Sequence, residues 1–378
     1  MTDGLYIHIP FCHQICHYCD FNKVFFENQP VDGYLDALGE ELRMMKEEEL
    51  FGEGPLTVFI GGGTPTALSA RQLEKLLGSI EQSVPKGRLI EFSTEANPDE
   101  LTPEKLSVLA DHGIGRLSIG VQSFDEGLLK KLGRTHSPGE AERVVEDARK
   151  AGFENLSIDL MYGLPEQTAA QWEDTLDRAL ALGLPHYSAY SLIVEPKTVF
   201  YNLMNKNLLP LPGEDAEADM FAMLMERMAG AGLHQYEISN FAKDGYESVH
   251  NKLYWQNRTY AGAGAGAHGY VNGVRYSNHG PLKKYMNAVA EGRRPVFEAH
   301  EVTPAEEMEE EMFLGLRMTG GVSGEEFLRR FGRDVHELYG DQIRDLSGKG
   351  LLTEENGRIR LTKKGIFLGN EVFASFIG

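Results

Sequence analysis

The chain alternates apolar, strand-like runs with amphipathic helical stretches through about residue 200, and this alternation restricts its fold more than any other feature. The strand-like runs span residues 5–10, 56–60, 89–94, 116–121, 155–160 and 186–192. The helical stretches between them span residues 32–49, 69–83, 102–111, 138–151 and 168–182. Strands and helices in alternation predict a parallel sheet with right-handed crossovers. Six strands are fewer than the eight of a closed barrel, so we expect an α/β fold with an open, partial (β/α)6 TIM-like barrel.

The pattern changes at about residue 235, and we expect a smaller α+β domain to follow the barrel. Residues 236–276 are rich in Gly, Asn, His and aromatic residues, and Asn272-Gly273 is typical of a tight hairpin turn. Helical patterns return after residue 300, and residues 357–361 suggest a β-wing, so this tail resembles a winged helix. We therefore divide the chain into a barrel domain, 1–235, and a C-terminal domain, 236–378.

The charge of the chain excludes some classes of partner. The formal net charge is −20, and no basic stripe is segregated along the sequence. Such a surface repels nucleic acid, and it also opposes anionic lipid headgroups, so we expect no nucleic-acid partner and at most peripheral membrane contact. No apolar run is long enough to span a bilayer, and the N-terminus lacks the features of a signal peptide. We therefore expect a cytoplasmic protein.

The three cysteines of the chain lie within eight residues, at Cys12, Cys16 and Cys19. An odd, clustered set is a poor disulfide framework and a good metal site in a reducing compartment. Thiolates are the usual ligands of [4Fe-4S] clusters, which normally take four, so three would leave one iron open. The alternative is zinc held by three thiolates and a histidine, with His8, His13 and His17 as candidates.

Polar residues follow the predicted strands at their carboxyl ends, which is the edge of a β/α barrel where ligands bind. A Gly61-Gly62-Gly63-Thr64-Pro65 loop follows the second strand, and Glu95, Gln122 and Asp159 close the third, fourth and fifth. Arg134 lies in the loop after the fourth strand. Taken singly, each of these is an ordinary loop residue.

Together, the cysteine spacing Cys-x3-Cys-x2-Cys and the glycine loop resemble the radical S-adenosylmethionine (SAM) superfamily. The resemblance implies a [4Fe-4S] cluster on Cys12, Cys16 and Cys19 whose fourth iron binds SAM. It also implies cofactor contacts from residues at the mouth of the barrel. These are Tyr6, Tyr18, Gly62, Gly63, Thr64, Glu95, Gln122, Arg134 and Asp159.

Nearly the whole chain resembles the family of oxygen-independent coproporphyrinogen III dehydrogenase and its close relatives. The resemblance is carried by residues 6–12 (YIHIPFC), 61–66 (GGGTPT), 118–123 (SIGVQS) and 159–165 (DLMYGLP). Two features depart from the dehydrogenase proper. Phe21 stands where that enzyme has a further cysteine, and only a few residues precede the first strand.

A haem-chaperone branch of that family carries the motif His-Asn-x-x-Tyr-Trp, which stands here at residues 250–255. The resemblance implies that this chain binds haem through His250, with an aromatic wall from Tyr254 and Trp255. It further implies haem-accepting proteins as partners and an electron donor for the cluster. This assignment makes the chain a chaperone rather than an enzyme, and the alternative is a radical SAM oxidoreductase acting on a porphyrinogen. Taken without the resemblance, His250 is an ordinary loop histidine.

The run AGAGAGAHG at residues 261–269 superficially fits a dinucleotide fingerprint. That fingerprint needs a βαβ unit, whereas a hairpin is predicted here, so we expect close backbone packing instead of nucleotide binding. His268 is a candidate second haem ligand.

Overall fold

The computed structural model of the chain describes residues 2–378. The strands before residue 198 are β1 (Gly4–Ile9), β2 (Phe11–Cys12), β3 (Val24–Phe25), β4 (Leu56–Gly62), β5 (Leu89–Ala96), β6 (Arg116–Gln122), β7 (Asn155–Tyr162) and β8 (His186–Ser191). The helices of the same part are α1 (Val31–Glu47), α2 (Ala70–Ser83), α3 (Pro103–Asp111), α4 (Glu126–Leu132), α5 (Pro138–Lys150) and α6 (Ala169–Ala181), with 3-10 turns at Pro65–Ala67 and Lys86–Arg88.

The rest of the chain is a mixture of short strands and helices. The strands are β9 (His234–Glu237), β10 (Asn240–Ala242), β11 (Tyr260–Ala263), β12 (His268–Val271), β13 (Val274–Asn278), β14 (Val296–Glu301), β15 (Val322–Ser323), β16 (Leu352–Glu355) and β17 (Arg358–Leu361). The helices are α7 (Val199–Met204), α8 (Glu214–Gly230), α9 (Val249–Trp255), α10 (Leu282–Ala290), α11 (Pro304–Gly315), α12 (Gly324–Phe331), α13 (Val335–Gly348), α14 (Lys363–Phe367) and α15 (Gly369–Ala374).

A twelve-stranded sheet runs through the described residues in the order β14-β13-β12-β11-β1-β4-β5-β6-β7-β8-β10-β9. The strands from β11 to β8 are parallel, and antiparallel strands extend the sheet at both ends. Ser69, Ser137 and Thr168 begin α2, α5 and α6 with capping boxes, in which a Glu or Gln three residues later returns the hydrogen bond. The chain is therefore the partial α/β barrel that the sequence predicts.

The predicted barrel elements are confirmed to within two residues at each end. β4, β5 and β7 each run two residues further than predicted because Gly61-Gly62, Glu95-Ala96 and Met161-Tyr162 still pair with neighbouring strands. Glycine and polar residues suggest a strand end in sequence, yet here they carry the strands to the mouth of the barrel. The short helices α4 and α7 were not predicted.

Residues beyond the expected domain boundary enlarge the barrel sheet. β11 lies parallel to β1, with Tyr260 opposite Gly4, and β12 and β13 form the predicted hairpin at Asn272-Gly273. The boundary at 235/236 stays a prediction. It lies within β9, the main hydrophobic core includes residues up to Val289, and a second core begins at Met312. Short glycine-rich strands carry too little apolar periodicity to reveal that they join a distant sheet.

The tail forms a winged-helix-like unit on its own core. α12 and α13 pack beside a three-stranded sheet of order β15-β17-β16, and the predicted wing is the β16–β17 hairpin. In the part of the chain that the structure describes, no helix combines the length and apolarity that a membrane crossing requires.

Candidate functional site

The cysteine loop leaves the carboxyl end of β1 and is fixed to its surroundings through the backbone. Thr64 N donates to Phe11 O at 2.9 Å, and Phe26 N donates to Cys12 O at 2.9 Å. His17 N donates to Leu132 O at 2.9 Å, at the end of α4. The glycine loop and α4 therefore hold the loop from two sides.

Hydrogen-bond donors and cations lie next to the three thiols. Thr64 Oγ1 donates to Cys12 Sγ at 3.6 Å and Arg134 Nη1 to Cys16 Sγ at 3.5 Å, while Lys23 donates to the carbonyl of Cys19. Burial raises the pKa of Cys12 to about 12, so this thiol keeps its proton until a metal displaces it. Three thiols, two of which accept a hydrogen bond at sulfur, with cations nearby fit an iron–sulfur cluster that keeps one iron free of protein ligands.

The zinc alternative needs a histidine that faces the thiols, and the three candidates bond elsewhere. Their contacts to backbone carbonyls are His8 Nε2 to Asn22 at 2.7 Å, His13 Nε2 to Ala67 at 3.2 Å and His17 Nδ1 to Lys131 at 2.8 Å. The histidine bonds therefore favour the cluster over zinc.

The glycine loop packs directly on the cysteine loop. Gly62 has φ +116°, and a Cβ there would lie 2.5 Å from the ring of His8. A Cβ on Gly63 would lie 2.8 Å from the backbone of Pro10. The glycines are thus required by contact between the two loops, in addition to any approach to a ligand. Gly62 N points into the barrel, where it donates to Glu95 Oε2 at 3.1 Å.

Asn97 connects the glycine loop to the cysteine loop. Its amide nitrogen donates to Thr64 Oγ1 at 3.2 Å, and its amide oxygen accepts from Arg134 Nη2 at 2.8 Å. Arg134 also donates to Gly120 O and to Cys16. Gln122 lies at the end of the same strand with φ +66°, and its amide covers Gly120, where a Cβ would lie 2.9 Å from Gln122 Nε2.

A small cavity of about 240 Å³ inside the barrel brings several of the predicted residues together. Its lining includes Tyr6, Gly62, Glu95, Asp159 and His250. Burial, with Asp159 nearby, raises the pKa of Glu95 to about 8. Burial also raises the pKa of Asp159, which accepts from Ser118 Oγ at 2.9 Å. Two buried carboxyls with few donors fit a cationic ligand, and SAM carries both an ammonium and a sulfonium.

His250 lies at the floor of the barrel with both ring nitrogens hydrogen-bonded. Nδ1 is 2.8 Å from Thr57 Oγ1, and Nε2 is 2.8 Å from the hydroxyl of Tyr254. Burial lowers the pKa of His250 to about 3, so the imidazole is neutral at pH 7. Glu91 holds α9 in place by accepting from Val249 N at 2.8 Å and His250 N at 3.0 Å.

A larger cleft, of about 1160 Å³, opens between the barrel mouth and the C-terminal unit. The cysteine loop contributes Tyr18 and Cys19, and α9 contributes Tyr254 and Trp255. Residues 366–371 and Phe373 of the tail form part of the opposite wall. Tyr254 lines both the cleft and the small cavity, whereas His250 lines only the small cavity. His268, the other candidate haem ligand, is exposed and lines neither space.

Three features of this site were not predicted: the Asn97 connection, the Glu91 anchor of α9, and Arg317 in the cleft wall. Each depends on a contact between residues far apart in sequence, such as the 158 positions between Glu91 and Val249. The polar strand end at Asn97 was the one signal available in sequence.

Comparison with known proteins places this geometry in a family. Residues 6–179 match the model of the radical SAM superfamily, and residues 302–368 match the HemN C-terminal domain. The heme chaperone HemW of Bacillus subtilis is 52% identical over 99% of this chain and 98% of its own length. The heme chaperone HemW of Lactococcus lactis is 46% identical over 99% of this chain and 97% of its own length.

The solved structure of coproporphyrinogen III oxidase (HemN) from Escherichia coli has the same fold. It superposes with a TM-score of 0.86 at 24% identity, over 99% of this chain and 89% of that one. Membership of the radical SAM superfamily implies a [4Fe-4S] cluster and SAM, and the thiols and carboxyls described above suit both. On its identity to these relatives over the full chain, this protein belongs to the HemW family of the radical SAM superfamily.

Proposed function

We propose that this chain is a haem chaperone of the cytoplasm, which binds a [4Fe-4S] cluster, SAM and haem and transfers haem to acceptor proteins. Its relatives in B. subtilis and L. lactis are named for that role. The observation that carries the proposal is the large cleft, which borders the cysteine loop on one side and the Tyr254-Trp255 segment on the other.

In this proposal the barrel mouth holds the cluster and SAM. Cys12, Cys16 and Cys19 are the cluster ligands, and Arg134 and Thr64 stabilise the charge on sulfur through their contacts to Cys16 and Cys12. When bound, the reduced cluster and SAM supply one-electron chemistry at the sulfonium. An electron donor would reach the cluster from the exposed side of the loop.

The carboxyls inside the barrel are the proposed partners of the SAM cations. Glu95 and Asp159 face the same cavity, and Gly62 N orients Glu95 at 3.1 Å. Tyr6 lines this cavity, Tyr18 lines the cleft beside Cys19, and Gln122 lies by the Arg134 contact to Gly120. Gly63 supports the site through the backbone.

Haem would lie in the cleft against Tyr254 and Trp255, with its iron facing the His250–Tyr254 pair. The small cavity, about 240 Å³, can admit the cationic end of SAM but not a macrocycle. The hydroxyl of Tyr254 therefore stands between the cleft and His250 Nε2. Both neutral imidazole and phenolate are established haem ligands.

The charge of the cleft favours haem over a porphyrinogen substrate. Among the described residues that line it, seven are acidic and Arg317 alone is basic. Haem carries two propionates, whereas coproporphyrinogen carries four, so the acidic lining opposes the enzyme's substrate more strongly. Phe21, 62% exposed at the place where the dehydrogenase has a cysteine, adds an aromatic surface to the mouth of the cleft.

Anaerobic reconstitution followed by haemin titration tests the haem site. We expect a Soret shift on binding, and at least tenfold weaker binding in His250→Ala, because the pair loses one of its two polar groups. His300→Ala, at an exposed histidine on β14, is the matched control. Transfer is tested by mixing the haem-loaded protein with apomyoglobin and following the spectrum of the acceptor. Wild-type affinity in His250→Ala would remove that residue from the haem site.

The enzyme alternative is tested with the same reconstituted protein, SAM, dithionite and coproporphyrinogen. The chaperone proposal expects no decarboxylation at enzymatic rates. Steady decarboxylation that depends on Cys16 would replace the chaperone by the oxidoreductase.

A further inference from the structure

Arg317 is brought to the cleft wall by the joint between the tail and the barrel sheet. It follows the end of α11, where Met318 bridges to Glu237 of β9 and Thr319 N donates to Tyr236 O at 3.1 Å. The guanidinium carbon lies 4.2 Å from the centre of the Trp255 ring and 5.8 Å from that of Phe373. The guanidinium therefore lies over an aromatic surface, with 25% of the side chain exposed.

Polar groups around Arg317 lack partners. Its Nε has no hydrogen bond, and its Nη2 forms only a long ion pair, 3.9 Å from Glu237 Oε2, which has no hydrogen bond either. Trp255 Nε1 and Asn240 Oδ1 are buried without partners as well. Buried polar groups are nearly always satisfied in folded proteins. The two donors of this group, Arg317 Nε and Trp255 Nε1, both lack an acceptor, and an acceptor that entered the cleft could satisfy them.

The missing partner suits an anion. Arg317 is the one basic residue among the described residues that line the cleft, and the other charged residues there are acidic. Glu237 does not neutralise it fully, since its Oε1 is committed to Ser239 N at 2.9 Å and to Asn240. Burial also raises the pKa of Glu237, which favours its neutral form. An anion that enters this cleft therefore has one place to bind.

The residues around Arg317 indicate which kind of anion would fit there. Two aromatic rings, Trp255 and Phe373, lie beside Arg317, and Tyr254, Phe221 and Met161 also line the cleft. A flat apolar ligand with a carboxylate at its edge satisfies both the walls and the cation. We propose that Arg317, held on the indole of Trp255, binds one propionate of haem, an assignment that rests on the proposed haem site. The second propionate would face solvent at the mouth of the cleft.

A comparison of haemin with its dimethyl ester distinguishes the contribution of the carboxylate contact to the affinity from that of the apolar contact. We expect the wild-type protein to bind haemin at least about tenfold tighter than the ester, as for hydrogen bonds to charged groups. Arg317→Met keeps most of the contact with Trp255 and should bind both ligands with the affinity of the ester. Arg317→Lys, which keeps the charge and loses the planar fork, should fall between them.

Arg333→Met, at an exposed arginine of the same unit, is the control, and SAM binding by each variant reports on the integrity of the barrel. Equal affinity of the wild-type protein for acid and ester would overturn the Arg317 assignment without the use of any variant. So would an Arg317→Met protein that still prefers haemin. Absence of haemin binding by the wild-type protein would instead refute the proposed function itself.

Discussion

The ionisation of Glu95 makes the stability of the protein depend on pH. Its carboxyl faces Asp159 inside the barrel, and burial and that neighbour raise its pKa to about 8. Between the unfolded value of about 4.5 and this value, the folded state binds more protons than the unfolded state. Glu95 therefore lowers the stability of the ligand-free protein as the pH rises through that window. A cation bound in the cavity offsets this loss of stability, because it favours the ionised form of Glu95.

Glu95→Gln is expected to make the ligand-free protein more stable at pH 8, by about 1–2 kcal/mol once water in the cavity is allowed for. At pH 4.5 the variant and the wild type should differ little. SAM affinity should fall by about tenfold or more at pH 8, because the ammonium loses its carboxylate partner. Urea unfolding and calorimetric titration measure the two effects, with Glu53→Gln at an exposed loop as the control. Unchanged stability at pH 8 would contradict the buried-acid interpretation.

Tyr254 is one of the residues that line both the small cavity and the cleft. Its hydroxyl is 2.8 Å from His250 Nε2, and its ring lines the cleft. We expect Tyr254→Phe to change the absorption and resonance Raman spectra of the ferric haem complex, because iron then meets a different polar group. The iron content of the reconstituted protein should stay unchanged. Identical haem spectra in variant and wild type would remove the His250–Tyr254 pair from the iron site.

Helix α9 connects the barrel to the proposed haem site, because its two ends lie in different environments. Its N-terminus is anchored to β5 by Glu91, and its C-terminus carries Tyr254 and Trp255 into the cleft. The helix has seven residues, too few to be stable on its own, so its position depends on these contacts.

Glu91→Ala removes the acceptor of the backbone N–H groups that begin α9. We expect a loss of about 2–4 kcal/mol in the free energy of unfolding, because buried donors are left unpaired. Haemin affinity should fall while iron content and SAM affinity remain, since β4 and the cysteine loop are untouched. Hydrogen exchange of residues 248–257 reports the local loosening directly. Faster exchange throughout the barrel, instead of in this segment alone, would argue against a local role.

The elements of the barrel were predictable and those of its extension were not, for a physical reason. β4 buries an apolar run, β6 alternates apolar with small or polar residues, and both lie between helices that carry their own capping signals, so local sequence specifies them. β11 has the sequence YAGA and owes its place to pairing with β1, some 256 positions earlier. The same holds for the site. Cysteine spacing indicates the metal ligands locally, whereas Asn97, Glu91 and Arg317 act through tertiary contacts.

At the scale of the whole molecule, the acidic charge and the single basic residue of the cleft act in opposite directions on haem. The net charge of −20 repels an anionic porphyrin at long range. Arg317 attracts its propionate at short range, where salt screens little. Long-range repulsion slows the entry of haem, and short-range attraction to Arg317 slows its release. Both effects suit a chaperone, because they keep haem from exchanging freely before an acceptor binds.

The long-range part of this balance predicts the effect of salt on haem uptake. Repulsion between like charges slows encounter and is screened as ionic strength rises, so the association rate constant of haemin should increase about two- to fivefold between about 20 and 300 mM salt. The dimethyl ester, which lacks the propionate charges, should show little change. Stopped-flow absorbance at the Soret band measures both rates on the same reconstituted protein. Glu195→Gln, at the cleft lining, should raise the haemin rate at low salt and leave the ester rate alone. A haemin rate that falls with salt would mean that local attraction to Arg317 governs the encounter, and the acidic surface would then have no part in gating the cleft.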